Sequence, residues 1–196
     1  MDLGFVLDSS GSLRNEYGKE KKFLTEIADA FGISPSGSRA GVVTFSHVAE
    51  HSIKLRDHMS TRSFNQAVNA IPHMGYTTRI DLALKLAQRE MFAYRNGGRS
   101  GVKKVLIVLT DGSQTKTYGA ADPAVVAEDI RRTGITVLVI GVGRGINRRE
   151  LDSIAGGPNK AFTADSFDIL IGQDFERRVL GTICVTAPPG MTKFSF

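Results

Sequence analysis

The chain has 196 residues, of which 41% are hydrophobic, with one cysteine and a net charge of +5. That length fills one core and falls short of two, and no apolar run reaches the roughly 18 to 20 residues that a membrane span needs. The basic residues lie in small scattered clusters (Lys19/Lys21/Lys22, Lys103/Lys104, Arg131/Arg132, Arg148/Arg149, Arg177/Arg178) without interleaved aromatics, which excludes nucleic acid and leaves an acidic glycan as a secondary partner.

Apolar periodicity alternates between strand and helix along the chain. Leu3 to Leu7 opens with a near-continuous apolar run, so Met1 abuts the first strand, no leader peptide is expected here, and the sequence reads as a piece of a larger protein. Leu24, Ile27, Ala28 and Phe31 then fall at helical spacing and make one buried stripe. Ala40 to Phe45 is a second strand. His51 to Leu55 alternates and follows so closely that an antiparallel edge hairpin is expected.

Two further helical stripes follow, Phe64/Ala67/Val68/Ile71 and Ile80/Ala83/Leu84/Ala87/Met91. Val102 to Leu109 and Ile135 to Val142 are β-branched or aliphatic runs of the kind parallel strands show when both faces are covered. Between them, Asp122-Pro123 reads as an N-cap with proline at the first helical position, starting a helix that runs to about Thr133 before Gly134. Asn147-Arg148-Arg149-Glu150 resembles a capping box for a short helix through Ala155. Phe167, Ile171, Phe175, Val179 and Ile183 mark a final helix, Ser166 to Cys184. The pattern predicts an α/β fold: a doubly wound, mostly parallel six-stranded sheet with one antiparallel edge strand and helices on both faces.

The chemistry-bearing residues stand at strand ends. Asp8-Ser9-Ser10-Gly11-Ser12 leaves the first strand directly, so that an acid and two hydroxyls alternate on a turn and aim oxygen donors at one point, as a hard divalent cation requires. Thr77-Thr78 precedes a helix, and Asp111 ends Val105 to Thr110. In strand order 3-2-1-4-5-6 the first and fourth strands are neighbours, and ligands collect at their carboxyl ends. Asp8 and Asp111 should therefore face each other there, with Thr78 closing the third side.

With these residues in place, the chain resembles the von Willebrand factor A domain and its metal-ion-dependent adhesion site. The likeness rests on the D-x-S-x-S turn, the Gly75 to Leu84 segment and Leu109-Thr110-Asp111-Gly112, and covers Asp2 to Cys184. It implies one domain over residues 1–184 and a tail or linker over 185–196. It further implies that Asp8, Ser10, Ser12, Thr78 and Asp111 hold Mg²⁺, with Mn²⁺ or Ca²⁺ as alternatives, and that a Glu or Asp of a partner protein completes the shell. Thr78 is selected over Thr77 by its place five residues before Ala83. Tyr76 and Ile80 depart from the family's usual glycine and threonine, so the rim of Tyr76, Thr77, Ser113 and Gln114 has a shape of its own. Tyr76 is read either as a partner anchor or as a packed loop residue.

The resemblance also frames function. An extracellular adhesion or matrix-assembly module leads, with a matrix protein such as collagen among the partners, although Arg144 to Lys160 is too short for the extra helix of collagen-binding integrin domains. Extracellular members often join the residues before strand one to those after the last helix by a disulfide; Cys184 stands at the second position, its partner would lie upstream of Met1, and the parent protein would be secreted. The family raises a ligand-driven slide of the last helix, with a static helix as the alternative. An intracellular scaffold domain and a Mg²⁺-dependent hydrolase are the competing classes.

Enzyme motifs are weak. Gly141-Val142-Gly143-Arg144-Gly145 follows a late strand and lacks the third glycine of a dinucleotide loop. Gly-x-Ser-x-Gly is absent, and Ser10 stands where a phosphatase would carry a second acid. His47 and His51 have i, i+4 spacing but lie around an edge strand, where that spacing does not make a zinc pair, and all four histidines are read as surface or loop residues. No catalytic residue is assigned, and the chain is read as not an enzyme.

Overall fold

Apolar runs without a polar face can be covered only by a sheet with helices on both sides. The computed structural model, which describes residues 1–185, has this architecture. Its strands are β1 (Asp2–Asp8), β2 (Arg39–Phe45), β3 (Ala49–Ile53), β4 (Lys104–Thr110), β5 (Thr136–Val142) and β6 (Ala161–Ala164). They lie in the order β3-β2-β1-β4-β5-β6, and every neighbouring pair is parallel except β2 with β3.

Side chains alternate across the strands, so each strand feeds two cores. Leu3, Phe5, Leu7, Val105, Ile107 and Leu109 pack beneath α1 (Tyr17–Phe31), α2 (Thr61–Ala70), α6 (Phe167–Leu170) and α7 (Gln173–Val185). On the opposite face Val6, Val43, Leu106, Val108 and Val139 meet α3 (Ile80–Leu86), α4 (Pro123–Arg132) and α5 (Arg148–Ala155). The two-sided burial holds the carboxyl ends of β1 and β4 side by side, with Leu7 opposite Leu109.

Several expected boundaries shift, each for a physical reason. The edge strand begins two residues earlier than expected; Leu55 lies past its end yet is fully buried, so its apolar character reports packing rather than pairing. β6 has only four residues, two of them alanine, and carries too little pattern to be located from sequence. The final helix is two helices. Gly172 separates α6 from α7 and its N–H closes a turn on the Ile169 carbonyl at 3.0 Å. The single stripe was readable across the break because Leu170, Phe175, Val179 and Ile183 enter one core, with Phe167 and Ile171 packed against it.

The capping box at α5 is half formed. Asn147 Oδ1 accepts from Arg149 and Glu150 N–H groups, but the Glu150 carboxylate reaches away and accepts from Gln114 N–H at 3.2 Å. The tail expected over 185–196 lies, apart from Val185, outside the described residues. Among the described residues no helix is long and apolar enough to cross a membrane.

Candidate metal centre

Asp8 ends β1 and is fully buried. Its Oδ1 accepts from Ser10 N–H at 2.8 Å and its Oδ2 from Thr110 Oγ1 at 2.5 Å, so the last residue of β4 orients the last residue of β1. The turn that follows is a single tight helical turn, Gly11–Leu13, which brings the next two hydroxyls around. Ser12 Oγ donates to Asp111 Oδ1 at 3.0 Å, which leaves Ser10, 3.3 Å away, to donate to Ser12 Oγ. Three residues from two loops that are about a hundred positions apart in sequence thus form one hydrogen-bonded oxygen chain, which the Ser10 N–H ties to Asp8.

Thr78 comes from a third loop, stapled to the other two. Ser9 Oγ accepts from Met74 N–H at 2.7 Å, Ser9 O from Gly75 N–H at 2.8 Å, and Tyr76 O from Gly11 N–H at 2.9 Å. His73 Nε2 lies 2.8 Å from Ser10 O; a carbonyl only accepts, so that nitrogen carries the proton. On the far side Thr78 and Thr115 exchange two bonds, Thr78 N–H to Thr115 Oγ1 at 3.1 Å and Thr115 N–H to Thr78 O at 2.8 Å. Thr78 Oγ1 faces Gly112, where an added Cβ would stand 3.7 Å from it. Thr78 is therefore beside the residue that follows Asp111.

The electrostatics call for positive charge. Burial pushes Asp8 up to about 6 despite the Thr110 and Ser10 hydrogen bonds, and Asp111 adds to the shift. Burial likewise raises Asp111, against its bond from Ser12. Behind them Glu20 of α1 is fully buried, neither of its oxygens has a hydrogen-bond partner among the described residues, and burial followed by the charges of Asp8 and Asp111 drives its pKa well up. Asp8, Glu20 and Asp111 thus form a cluster of acids whose charged forms burial disfavours, so that a bound cation would favour them. The exposed side of the cluster offers carboxylate and hydroxyl oxygens and neither nitrogen nor sulfur, a donor set that fits a hard divalent cation. Among the described residues no group of three or more His, Cys, Asp or Glu is placed to hold a metal ion, here or around His47 and His51, so a cation at this site would rely on the Ser10, Ser12 and Thr78 hydroxyls beside the two carboxylates.

The rim residues take different positions. Tyr76 is 74% exposed at φ 72°, alone among non-glycine described residues in the left-handed region, and its ring meets His47 edge-on at 4.5 Å. Thr77 is exposed, and Ser113 Oγ lies 3.5 Å from Gly145 O. Gln114 is committed inward: its Oε1 accepts from Asp81 N–H at 3.1 Å and its Nε2 donates to Asp81 Oδ1 at 2.7 Å. Asp81 is fully buried and also takes the Arg79 guanidinium fork and Ala121 N–H. Burial would raise its pKa, yet these donors outweigh it and hold Asp81 at about 2.

Sequence reasoning missed Ser9, Thr110, Thr115, His73 and Glu20. Thr110 was legible in principle as a hydroxyl beside Asp111 at a strand end; His73 and Glu20 had no local signal, since both act across elements. Gly143, in the suspected nucleotide loop, adopts φ 85° as a turn after β5, and Gly145 is packed so that an added Cβ would lie 2.8 Å from Asp111 O.

The family model for the von Willebrand factor type A domain matches residues 2–176. The chain belongs to that family. This A domain is 33% identical over 184 residues to the human collagen alpha-6(VI) chain, covering 93% of the present chain and 8% of that protein. It is 31% identical over 195 residues to mouse matrilin-1, covering 94% and 38% respectively. Among solved structures, proximal thread matrix protein 1 from the mussel byssus, with a zinc-occupied MIDAS motif, superposes with a TM-score of 0.84 at 31% identity, covering 93% of this A domain and 45% of that chain. The A domain thus spans less than half the length of each of these relatives.

Proposed function

We propose that this A domain is a protein-binding module of an extracellular matrix or adhesion protein, working through a divalent cation held by Asp8, Ser10, Ser12, Thr78 and Asp111. The observation that carries this reading is the oxygen chain Ser10–Ser12–Asp111 beside the buried carboxyl of Asp8. Two carboxylates and three neutral hydroxyls under-neutralise a divalent ion when water lies between it and either acid, and an octahedral shell then has room for an outside carboxylate. A Glu or Asp of the partner supplies it. Mg²⁺ suits such an all-oxygen, partly hydrated shell better than a softer ion, with Mn²⁺ or Ca²⁺ able to replace it.

Relatives named as collagen, matrilin and transmembrane cell adhesion receptor chains support an adhesive rather than an enzymatic role and an extracellular setting. Tyr76, Thr77, Ser113 and Gln114 border the ion's open side, Gln114 by bracing the loop rather than by reaching the ligand. The strain at Tyr76, roughly 1 to 2 kcal/mol for a left-handed side-chain-bearing residue, favours the anchor reading over simple packing. Cys184 fits the same setting: the Lys103 carbonyl accepts from Asp2 N–H and the Lys103 Nζ donates to Ile183 O, which brings the end of α7 near the start of β1. The test is capture of proteins from an extracellular-matrix extract on the immobilised domain with Mg²⁺, with chelator, and with Asp111→Ala. Partners lost in both the second and third arms support the reading; partners retained in both overturn it.

A further inference from the structure

We propose that the metal-bearing face recognises an acidic segment of its partner, in which additional carboxylates flank the one that meets the cation. The inference deepens the metal-dependent reading above and rests on it. Arg14 stands two residues beyond Ser12 at the end of the tight turn after β1. Lys116 follows Thr115, which is bonded to Thr78. Arg144 precedes Gly145, which packs on the Asp111 carbonyl. All three are exposed, and no carboxylate among the described residues pairs with any of them.

Acidic groups on the same edge are otherwise engaged. Glu16 and Asp168 share Lys19, Asp81 holds Arg79, Glu150 holds Gln114 N–H, and Asp122 caps α4. Asp165 is exposed and has no partner among the described residues, but it follows β6, two strands away from β4. The three cations therefore come from the loops after β1 and β4, the strands that bound the Asp8–Asp111 crevice, and after β5, the strand beside β4. With no carboxylate paired to their side chains, these cations leave exposed positive charge at the rim, which a partner carrying several carboxylates neutralises. The Tyr76–His47 pair beside the turn adds an apolar ledge for a peptide side chain, which favours a protein segment over a sulfated glycan.

The probes are two synthetic peptides with a central Glu, flanked by Glu residues in one and Gln residues in the other. Their binding to the domain is followed by fluorescence polarisation in Mg²⁺ at low ionic strength. Three exposed charge pairs of ordinary strength give the acid-rich peptide about a tenfold advantage, which shrinks as salt is raised. The triple substitution Arg14→Gln, Lys116→Gln and Arg144→Gln removes that advantage, and Arg144→Gln alone reduces it, while thermal unfolding verifies that both variants fold. Chelator-sensitive binding with no preference between the peptides, or no binding of either, sinks the acidic-segment inference. Binding that ignores chelator sinks the metal reading instead. A heparin oligosaccharide that binds without Mg²⁺ and displaces the acid-rich peptide assigns the face to a glycan and overturns the proposal.

Discussion

Glu20 sets the terms at the scale of single residues. A carboxyl buried without a hydrogen-bond partner costs about 1 to 3 kcal/mol, so Glu20→Leu should stabilise the chelated domain by that order in urea unfolding. The sign with pH is checkable. Because the folded-state pKa is raised above the ordinary value of 4.5, the folded state holds the proton longer, and stability falls as pH climbs above about 4.5. The gain from Glu20→Leu therefore grows over that rise; a gain independent of pH would show that Glu20 is not an acid under strain. Tyr76 separates stability from binding. Replacing it by glycine relieves the left-handed backbone but adds chain entropy, leaving stability within about 1 kcal/mol of the parent. Loss of the exposed ring should weaken partner capture, and unchanged capture would place Tyr76 outside the interface.

At the scale of elements, the site depends on loops that are fastened to one another rather than on any helix or strand alone. The Asp81 node joins α3 to the β4–α4 loop through Gln114 and Ala121 N–H, and Glu150 joins that loop to α5. Asp81→Asn leaves the Arg79 fork without its anion and should cost about 3 kcal/mol, as breaking a buried pair does. Because Asp81 is depressed to about 2, its contribution is present above the ordinary value of 3.8 and is lost as pH falls from about 4 toward 2. The variant should flatten that part of the acid limb in a pH series of thermal unfolding; an unchanged limb would assign the acid sensitivity to other carboxylates. The Gly172 break divides the last stretch into α6 and α7, although both enter one core.

For the whole molecule, a cation bound only by the folded state stabilises it by mass action. Mg²⁺ at about a hundred times its Kd adds about 2.7 kcal/mol, visible as a rise in Tm over the chelated protein. Asp8→Ala should abolish the increment. A Tm insensitive to every divalent ion would mean that the acid cluster is neutralised by protons alone.

Sequence alone determined the layering and the strand order through β5, and it nominated the oxygen-bearing residues that the strand ends carry. Periodicity of two or 3.6 residues is set by burial, and the D-x-S-x-S turn and Asp111 declare themselves at strand ends. Tertiary structure decided what depends on contact across elements: the role of Thr110 on Asp8, His73 under Ser10, the Gln114–Asp81 lock, the split at Gly172 and the burial of Glu20. Each of these pairs residues far apart in sequence, or residues whose local pattern fits two structures equally, and only the packed sheet chooses between them.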